Sequence, residues 1–237
     1  MTVTMRRIQL SCTFLLFAVA ATAADAGWKP LFNAKNLDGW EPRGECAWTV
    51  MPEGVLVGQR IHTKPTETWP LEQKDYNKWL YRQAWLYTTR DFGQFDLHLE
   101  YWIPKGGNSG VSLRDHSRAH YAIGEPDSVH PELAGPLKST PAHIGYEIQI
   151  LDGDSDKYPS GSIYTFVAAK RGVHRPGAWN TMDIEVRDNM IRVRLNGELV
   201  AEGPGDPARP KNGPIGLQLH DQFTFALFRN IRIREVH

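Results

Sequence analysis

The sequence predicts an all-β protein, a β-sandwich or jelly roll of two antiparallel sheets with long loops. Three observations support this prediction. Apolar and polar residues alternate with a period of two along several segments, as in strands with one buried face. Turn-forming residues separate these segments. The chain also contains 21 glycines and 16 prolines in 237 residues, a content that favours turns over long helices.

The alternating segments follow one another along the chain. They are Phe95–Ile103, Val111–Leu113, Tyr146–Ile150, Met182–Val186, Ile191–Leu195 and Ile215–Leu219. Asn196-Gly197 predicts a tight hairpin, because both residue types tolerate positive φ. A weak helical pattern covers Gln73–Trp85. Two long irregular segments, 59–75 and 115–143, interrupt the strands, and loops of this length in a compact domain are usually functional.

Residues 1–26 have the pattern of a secretory signal peptide. Arg6 and Arg7 precede an apolar run from Ile8 to Ala21, and small residues then offer cleavage sites near Ala23 or Ala26. The apolar run is shorter than the roughly 20 residues of a membrane-spanning helix. We therefore expect an exported protein, periplasmic or extracellular, without a membrane span. Residues 27–237 are expected to form one domain.

Charge and cysteine content narrow the range of partners. The chain has 27 basic and 27 acidic residues, and this balance argues against nucleic acid as a partner, since phosphate binding selects a basic surface. Once the leader is removed, Cys46 has no second cysteine to pair with. We interpret it as a half-buried packing residue rather than a nucleophile.

The most informative segment runs from Gly145 to Asp152. Tyr146 and the isoleucines after it would face the core, so Glu147 and Gln149 share the opposite face. A regular strand would place Asp152 on the core face, whereas a β-bulge near Leu151 would bring it beside Glu147 and Gln149. Such a row of carboxyl groups could carry out acid–base chemistry. The alternative is a solvated sheet face.

Other predicted strands place polar residues on the same face by alternation. Arg114 alternates with Val111 and Leu113, and Gln218 and His220 alternate with Leu217 and Leu219. If these strands are neighbours, their polar side chains join Glu147 and Gln149 in one patch. Arginine would supply donors for an oxyanion, and histidine a proton shuttle near neutral pH. Trp102 lies on the polar side of its strand, where it could stack on a sugar.

Metal-binding patterns are incomplete. His116 and His120 have the i,i+4 spacing of helix-borne zinc ligands, but no third ligand follows at a recognisable spacing. Asp152, Asp154 and Asp156 alternate in a turn without the closing glutamate of a calcium loop. The sequence identifies no cofactor and leaves a divalent metal open.

Several motifs together carry a family resemblance. In chain order they are Leu31–Trp40, Asn108–Arg114, Gly145–Asp152, Gly161–Thr165, Trp179–Thr181, Leu195–Gly197, Gly216–His220 and Phe228–Ile231. With these motifs the sequence resembles the 3-keto-disaccharide hydrolase domain family from Trp28 to Val236. The resemblance implies a concanavalin-like jelly roll, similar to the laminarinase-like glucanases. In those glucanases the catalytic strand reads Glu, apolar, Asp, apolar, an optional bulge residue, then Glu; here Gln149 replaces the middle Asp and Asp152 the final Glu.

The resemblance also implies an activity. A ketone at C3 acidifies the proton at C2 of the sugar, so a base can remove it, the glycosidic oxygen can leave, and water can add. Under this expectation Glu147 or His220 is the general base, and Arg114 stabilises the enolate. Asp152 assists the leaving group or orients a partner residue. The substrate-binding residues would be Gln149, Gln218, Asn108, Trp102 and Tyr164.

Two other functions remain open from the sequence. A jelly roll can serve as a non-catalytic, lectin-like carbohydrate-binding module, and the same polar patch would suit that role. A conventional endo-glucanase is disfavoured, because retaining and inverting glycosidases use a pair of carboxyl groups and the middle Asp is missing. In each of these functions the expected partner is a carbohydrate.

Overall fold

The computed structural model describes residues 26–61, 83–120, 140–153 and 156–236. Within them, two antiparallel sheets of eight and five strands form the fold. The strands are β1 Lys29–Pro30, β2 Trp40–Arg43, β3 Cys46–Val50, β4 Leu56–Arg60, β5 Ala84–Thr88, β6 Phe95–Trp102, β7 Asn108–Leu113, β8 Tyr146–Leu151, β9 Asn180–Arg187, β10 Met190–Leu195, β11 Glu198–Pro204, β12 Ile215–Leu219 and β13 Phe225–Glu235. A single-turn helix, α1, spans Pro141–Ile144.

The two sheets have different strand orders. The eight-stranded sheet runs β11-β10-β9-β6-β13-β4-β3, with β1 paired to β13. The five-stranded sheet runs β2-β5-β12-β7-β8. Neighbours in space are mostly not neighbours in sequence, as expected for a jelly roll. This order brings the distant strands β5, β7, β8 and β12 side by side.

The core lies between the two sheets. Leu97, Leu99 and Tyr101 of β6 and Ile148 and Ile150 of β8 belong to one buried cluster. Alternation along each strand places polar residues on the outer faces. The predicted all-β sandwich of two antiparallel sheets is confirmed, and each of the six alternating segments lies within or overlaps an observed strand.

Local predictions have mixed outcomes. Asn196 and Gly197 have φ values of 52° and 83°, so the predicted tight hairpin between β10 and β11 is confirmed. The helix predicted over residues 73–85 is wrong at its end, since Ala84 and Trp85 belong to β5; residues 73–82 lie outside the described residues. Residues 1–25 also lie outside them, so the signal peptide stays a prediction.

Two features bear on partners and reactivity. No helix among the described residues is long and apolar enough to cross a membrane. Cys46 is partly buried in β3, and burial raises the pKa of its thiol to about 11. It is therefore protonated at neutral pH, in agreement with its interpretation as a packing residue.

Candidate active site

The candidate site lies on the outer face of the five-stranded sheet. Glu147 of β8 lies opposite Ser112 of β7, and Gln149 lies opposite Gly110. Gln218 of β12 lies opposite Trp85 of β5. Because side chains alternate across a strand, these residues share the face that points away from the core. The sequence prediction that Glu147, Gln149 and Gln218 lie together is confirmed.

Two glycines make room for this arrangement. A Cβ atom on Gly110 would lie 2.6 Å from Glu147 Oε1, and one on Gly216 would lie 2.4 Å from Tyr87 Cε1. Both distances are far below van der Waals contact. The absent side chains therefore let Glu147 and Tyr87 lie across the neighbouring strands. This is how Glu147 reaches Gln218, two strands away.

Glu147 is a buried acid. It is only 5% exposed, and its Oε1 accepts a hydrogen bond of 3.0 Å from Gln218 Nε2. Burial raises the pKa of Glu147 to about 8, against the opposing effect of the Gln218 hydrogen bond. A buried carboxyl without a cationic partner is expected to behave in this way. Glu147 therefore carries a proton at neutral pH and can donate it.

A pocket opens over Glu147. Its lining residues are Gln83, Asn108, Thr140, Ala142, His143, Glu147, Gln149, Tyr164, Gln218 and His220. Four of them are amides whose side-chain oxygens are buried without a hydrogen-bond partner among the described residues, namely Gln83, Asn108, Gln149 and Gln218. Buried acceptors of this kind are costly unless water or a ligand supplies a hydrogen-bond donor. Their number suits a ligand rich in hydroxyl groups.

His220 lies at the rim of the pocket beside an acid. Its side chain is 25% exposed, and its Nδ1 is 3.6 Å from Asp221 Oδ2. Burial opposes ionisation of Asp221, but the adjacent His220 imidazole and the hydrogen bond from the backbone N–H of Phe223 lower its pKa. Nδ1 is the ring nitrogen beside the carboxylate of Asp221, so Nε2 is the ring nitrogen available for proton transfer.

A second imidazole in the pocket was not among the predicted site residues. His143 of α1 contacts Thr140 Oγ1 through Nδ1 at 2.7 Å. Burial, and then the nearby charge of Arg209, lower the pKa of His143, so it is neutral at neutral pH. Gln83 and Thr140 were also missed. His143 and Thr140 lie at the end of the irregular segment 115–143, whose length was the signal for them, and Gln83 lies within the weak helical pattern of residues 73–85, which gave no signal for it.

A buried hydroxyl network continues the site along the same face. Tyr87 Oη lies 3.3 Å from Ser112 Oγ and donates to Asp115 Oδ2 at 2.9 Å. Burial, and then the charge of Asp115, raise the pKa of Tyr87. Asp115 also accepts from the backbone N–H of Ala119 at 2.8 Å. The segment after β7 is thereby fixed over Tyr87, and Tyr87 remains a neutral phenol.

The structure places six of the nine predicted site residues in this pocket. They are Glu147, His220, Gln149, Gln218, Asn108 and Tyr164. Tyr164 is held there because its backbone N–H donates to the carbonyl of Glu147 at 2.9 Å. The other three, Arg114, Asp152 and Trp102, lie elsewhere.

Arg114 does not join the patch, so the prediction that it lies beside Glu147 is wrong. It follows the end of β7 with a φ of 61°, and this left-handed conformation interrupts the alternation on which the prediction depended. The side chain is buried, and its guanidinium donates to the carbonyls of Asp188 and Gly93 at 2.7 and 2.6 Å. It lines a separate depression with Lys211 and Glu235.

Asp152 is also displaced, because the bulge predicted near Leu151 is absent. The pairing of β8 with β7 is continuous from Tyr146 to Leu151. Asp152 instead caps the turn between β6 and β7, where its Oδ2 accepts from the backbone N–H of Gly106 at 2.7 Å. Its Oδ1 is 3.9 Å from His174 Nε2. Glu147 therefore has no second carboxyl beside it from this strand.

Trp102 lies on the wrong sheet. It belongs to β6 of the eight-stranded sheet, opposite Leu227 of β13, and its neighbours Tyr101 and Ile103 face the core. Its side chain therefore points outward on the opposite side of the sandwich from Glu147. Trp102 therefore does not line this pocket.

The described residues offer no cluster of three or more His, Cys, Asp or Glu side chains arranged for a metal ion. His116 and His120 are both exposed. Asp154 lies outside the described residues, so the predicted aspartate turn is seen only in part.

The fold and the pocket together define a concanavalin-type jelly roll with a polar site on one sheet. Two solved structures of candidate glycosyl hydrolases from Parabacteroides distasonis ATCC 8503 share this fold. One is 19% identical, with a TM-score of 0.63 over 90% of this chain and 96% of the other. The second is 24% identical, with a TM-score of 0.61 over 88% and 99%. A β-glucanase from Bacillus licheniformis is 12% identical, with a TM-score of 0.52 over 89% and 97%.

Sequence comparison identifies the family. Residues 27–234 match the 3-keto-alpha-glucoside-1,2-lyase-like domain, and the chain belongs to this family. Its function is thus carbohydrate-related. No curated protein matches the chain.

Proposed function

We propose that this protein cleaves the glycosidic bond of 3-keto-glycosides by elimination followed by hydration. The observation that carries the proposal is the composition of the pocket. Among the described residues that line it, Glu147 is the single carboxylic acid, and the remaining polar groups are mostly amides and imidazoles. A conventional glycosidase requires two carboxyl groups across the scissile bond. Elimination beside a ketone requires one base and one acid, and the family's lyase-type name agrees with that chemistry.

The first half of the reaction breaks two bonds. Nε2 of His220, oriented by Asp221, accepts the proton at C2, and the electron pair of that C–H bond delocalises onto the C3 ketone as an enolate. The pair then forms a C1–C2 double bond as the C1–O bond breaks. Protonated Glu147 donates its proton to the departing oxygen, so the aglycone leaves as an alcohol. General acid and base groups of this kind contribute about 10²–10⁴-fold each.

The second half restores the protein. The ionised Glu147 takes a proton from water, whose oxygen adds to C1, and the imidazolium of His220 returns a proton to C2. The balance is one glycoside and one water consumed, one 3-keto-sugar and one alcohol formed. Gln149, Gln218 and Asn108 hold the sugar hydroxyls through their open amide oxygens. Arg114 has no part in this scheme, because the structure places it outside the pocket.

The proposal is tested by aglycone release. Purified protein is incubated with a 3-keto-glucoside and with the matching unoxidised glucoside, each with and without EDTA. We expect release from the keto-sugar alone, because only the ketone acidifies the C2 proton. Equal release from both sugars would contradict the elimination. Release from neither, with binding of both, would favour a sugar-binding module. Loss of release in EDTA would indicate a divalent metal.

A further inference from the structure

An exposed aromatic residue lies in the loop that follows the pocket residue His220. Phe223 is 73% exposed, and it is the most exposed large hydrophobic residue among those the structure describes. It lies in the loop between β12 and β13, three residues after His220, which lines the pocket. Covering an exposed aromatic ring with an apolar surface is favourable, because it removes the ring from water. The position therefore suits a ligand that extends beyond the rim.

The loop that carries Phe223 is firmly fixed. Asp221 Oδ1 accepts hydrogen bonds from the backbone N–H groups of Phe223 and Thr224, at 2.8 and 2.9 Å. Thr224 Oγ1 accepts from the backbone N–H of Asn108 at 3.0 Å, and Asn108 lines the pocket. The backbone before and after Phe223 is thus held by hydrogen bonds next to the pocket residues His220 and Asn108. A preorganised backbone loses little conformational entropy when a ligand binds.

Asp221 connects this loop to the chemistry. The same carboxylate that fixes the backbone at Phe223 lies beside Nδ1 of His220. The backbone at Phe223 is therefore held in a fixed relation to His220. A substrate whose sugar ring reaches His220 and Glu147 would carry its leaving group toward this rim.

We propose that Phe223 determines specificity by stacking against the pyranose ring of the leaving group. This inference rests on the proposed function, because it assigns the keto-sugar to the pocket and the second ring to the rim. A pyranose presents C–H groups on its face and hydroxyls at its edge. The C–H face packs on the electron-rich face of an aromatic ring, while the hydroxyls stay in the water around the exposed loop. A leaving group that contains a pyranose ring would then be preferred over a small alkyl leaving group.

The test compares two substrates that differ only in the leaving group. For a 3-keto-disaccharide and for methyl 3-keto-glucoside, kcat/KM is measured with the wild type, Phe223→Ala and Phe223→Trp. We expect Phe223→Ala to reduce the preference for the disaccharide by about tenfold, as loss of one stacked ring face implies. Phe223→Trp should keep the wild-type preference for the disaccharide. Phe225→Ala is the matched control, since Phe225 is 46% exposed and begins β13 of the other sheet.

An unchanged preference in Phe223→Ala would overturn the inference. If the wild type turns over neither keto-sugar, the proposed function has failed. The stacking is then tested by measuring binding affinity instead of turnover. Calorimetric affinities for the unoxidised disaccharide and its methyl monoglycoside are compared in the same variants. A selective loss of disaccharide affinity in Phe223→Ala supports the stacking, and equal affinities in the wild type and this variant contradict it.

Discussion

Glu147→Gln is expected to lower kcat for a 3-keto-glycoside by about 10²–10⁴-fold, the contribution typical of a general acid. Glutamine has the same shape and can still accept the hydrogen bond from Gln218 Nε2 that Glu147 accepts at 3.0 Å. It cannot donate a proton to the departing oxygen. Binding of the sugar should therefore persist while turnover is lost, so kcat falls much more than affinity for the substrate.

The control for this variant is Glu185→Gln. Glu185 pairs with Arg192 on the eight-stranded sheet, so the same chemical change there leaves the pocket untouched. We expect wild-type turnover from it. Turnover by Glu147→Gln at the wild-type rate, in protein that unfolds in one cooperative transition, would remove Glu147 from the mechanism.

Wild-type stability is expected to fall with rising pH because of the same residue. The pKa of Glu147 is raised from 4.5 to about 8 by burial. Between these values the folded state holds a proton that the unfolded state has released, so stability decreases as pH rises. Above the pKa of the folded state the decrease in the free energy of unfolding is complete and amounts to about 5 kcal/mol. Buried carboxyls with raised pKa values thus act oppositely to ion-paired ones.

The measurement is the free energy of unfolding by urea at several pH values from about 5 to about 9. Glu147→Gln cannot ionise at this position, so its stability should change less over the range. Subtracting its pH profile from that of the wild type removes the other titrating groups common to both proteins. Parallel profiles would show that Glu147 ionises in the folded protein as it does in the unfolded chain.

The sequence predicted the part of the site that depends on alternation within regular strands. Glu147, Gln149 and Gln218 lie in strands without a bulge, so their alternation with apolar residues fixed the face that they share. Alternation does not indicate which sheet a strand joins. Trp102 shows this limit, since its strand belongs to the other sheet. Strand pairing depends on contacts between distant segments, which a single sequence does not reveal.

Irregular backbone accounts for most of the other differences. Arg114 follows β7 in a left-handed conformation, and this turns its side chain away from the face that strand alternation predicts. A bulge was predicted at Leu151, where none exists, while a register shift occurs in β13 between Arg229 and Arg232, where Asn230 has a φ of 52°. Each of these depends on tertiary contacts rather than on local residue preference. His143 was missed because it lies in α1, where alternation has no meaning.

The proposed elimination breaks the C2–H bond of the sugar during cleavage. It is tested by comparing kcat for a 3-keto-glycoside that carries deuterium at C2 with kcat for the same substrate carrying hydrogen, and by following the fate of the label. The elimination mechanism predicts slower turnover of the deuterated substrate, and exchange of the His220 imidazolium with water before C2 is reprotonated carries deuterium into the solvent. Equal rates, with deuterium retained at C2 of the released sugar, would contradict it.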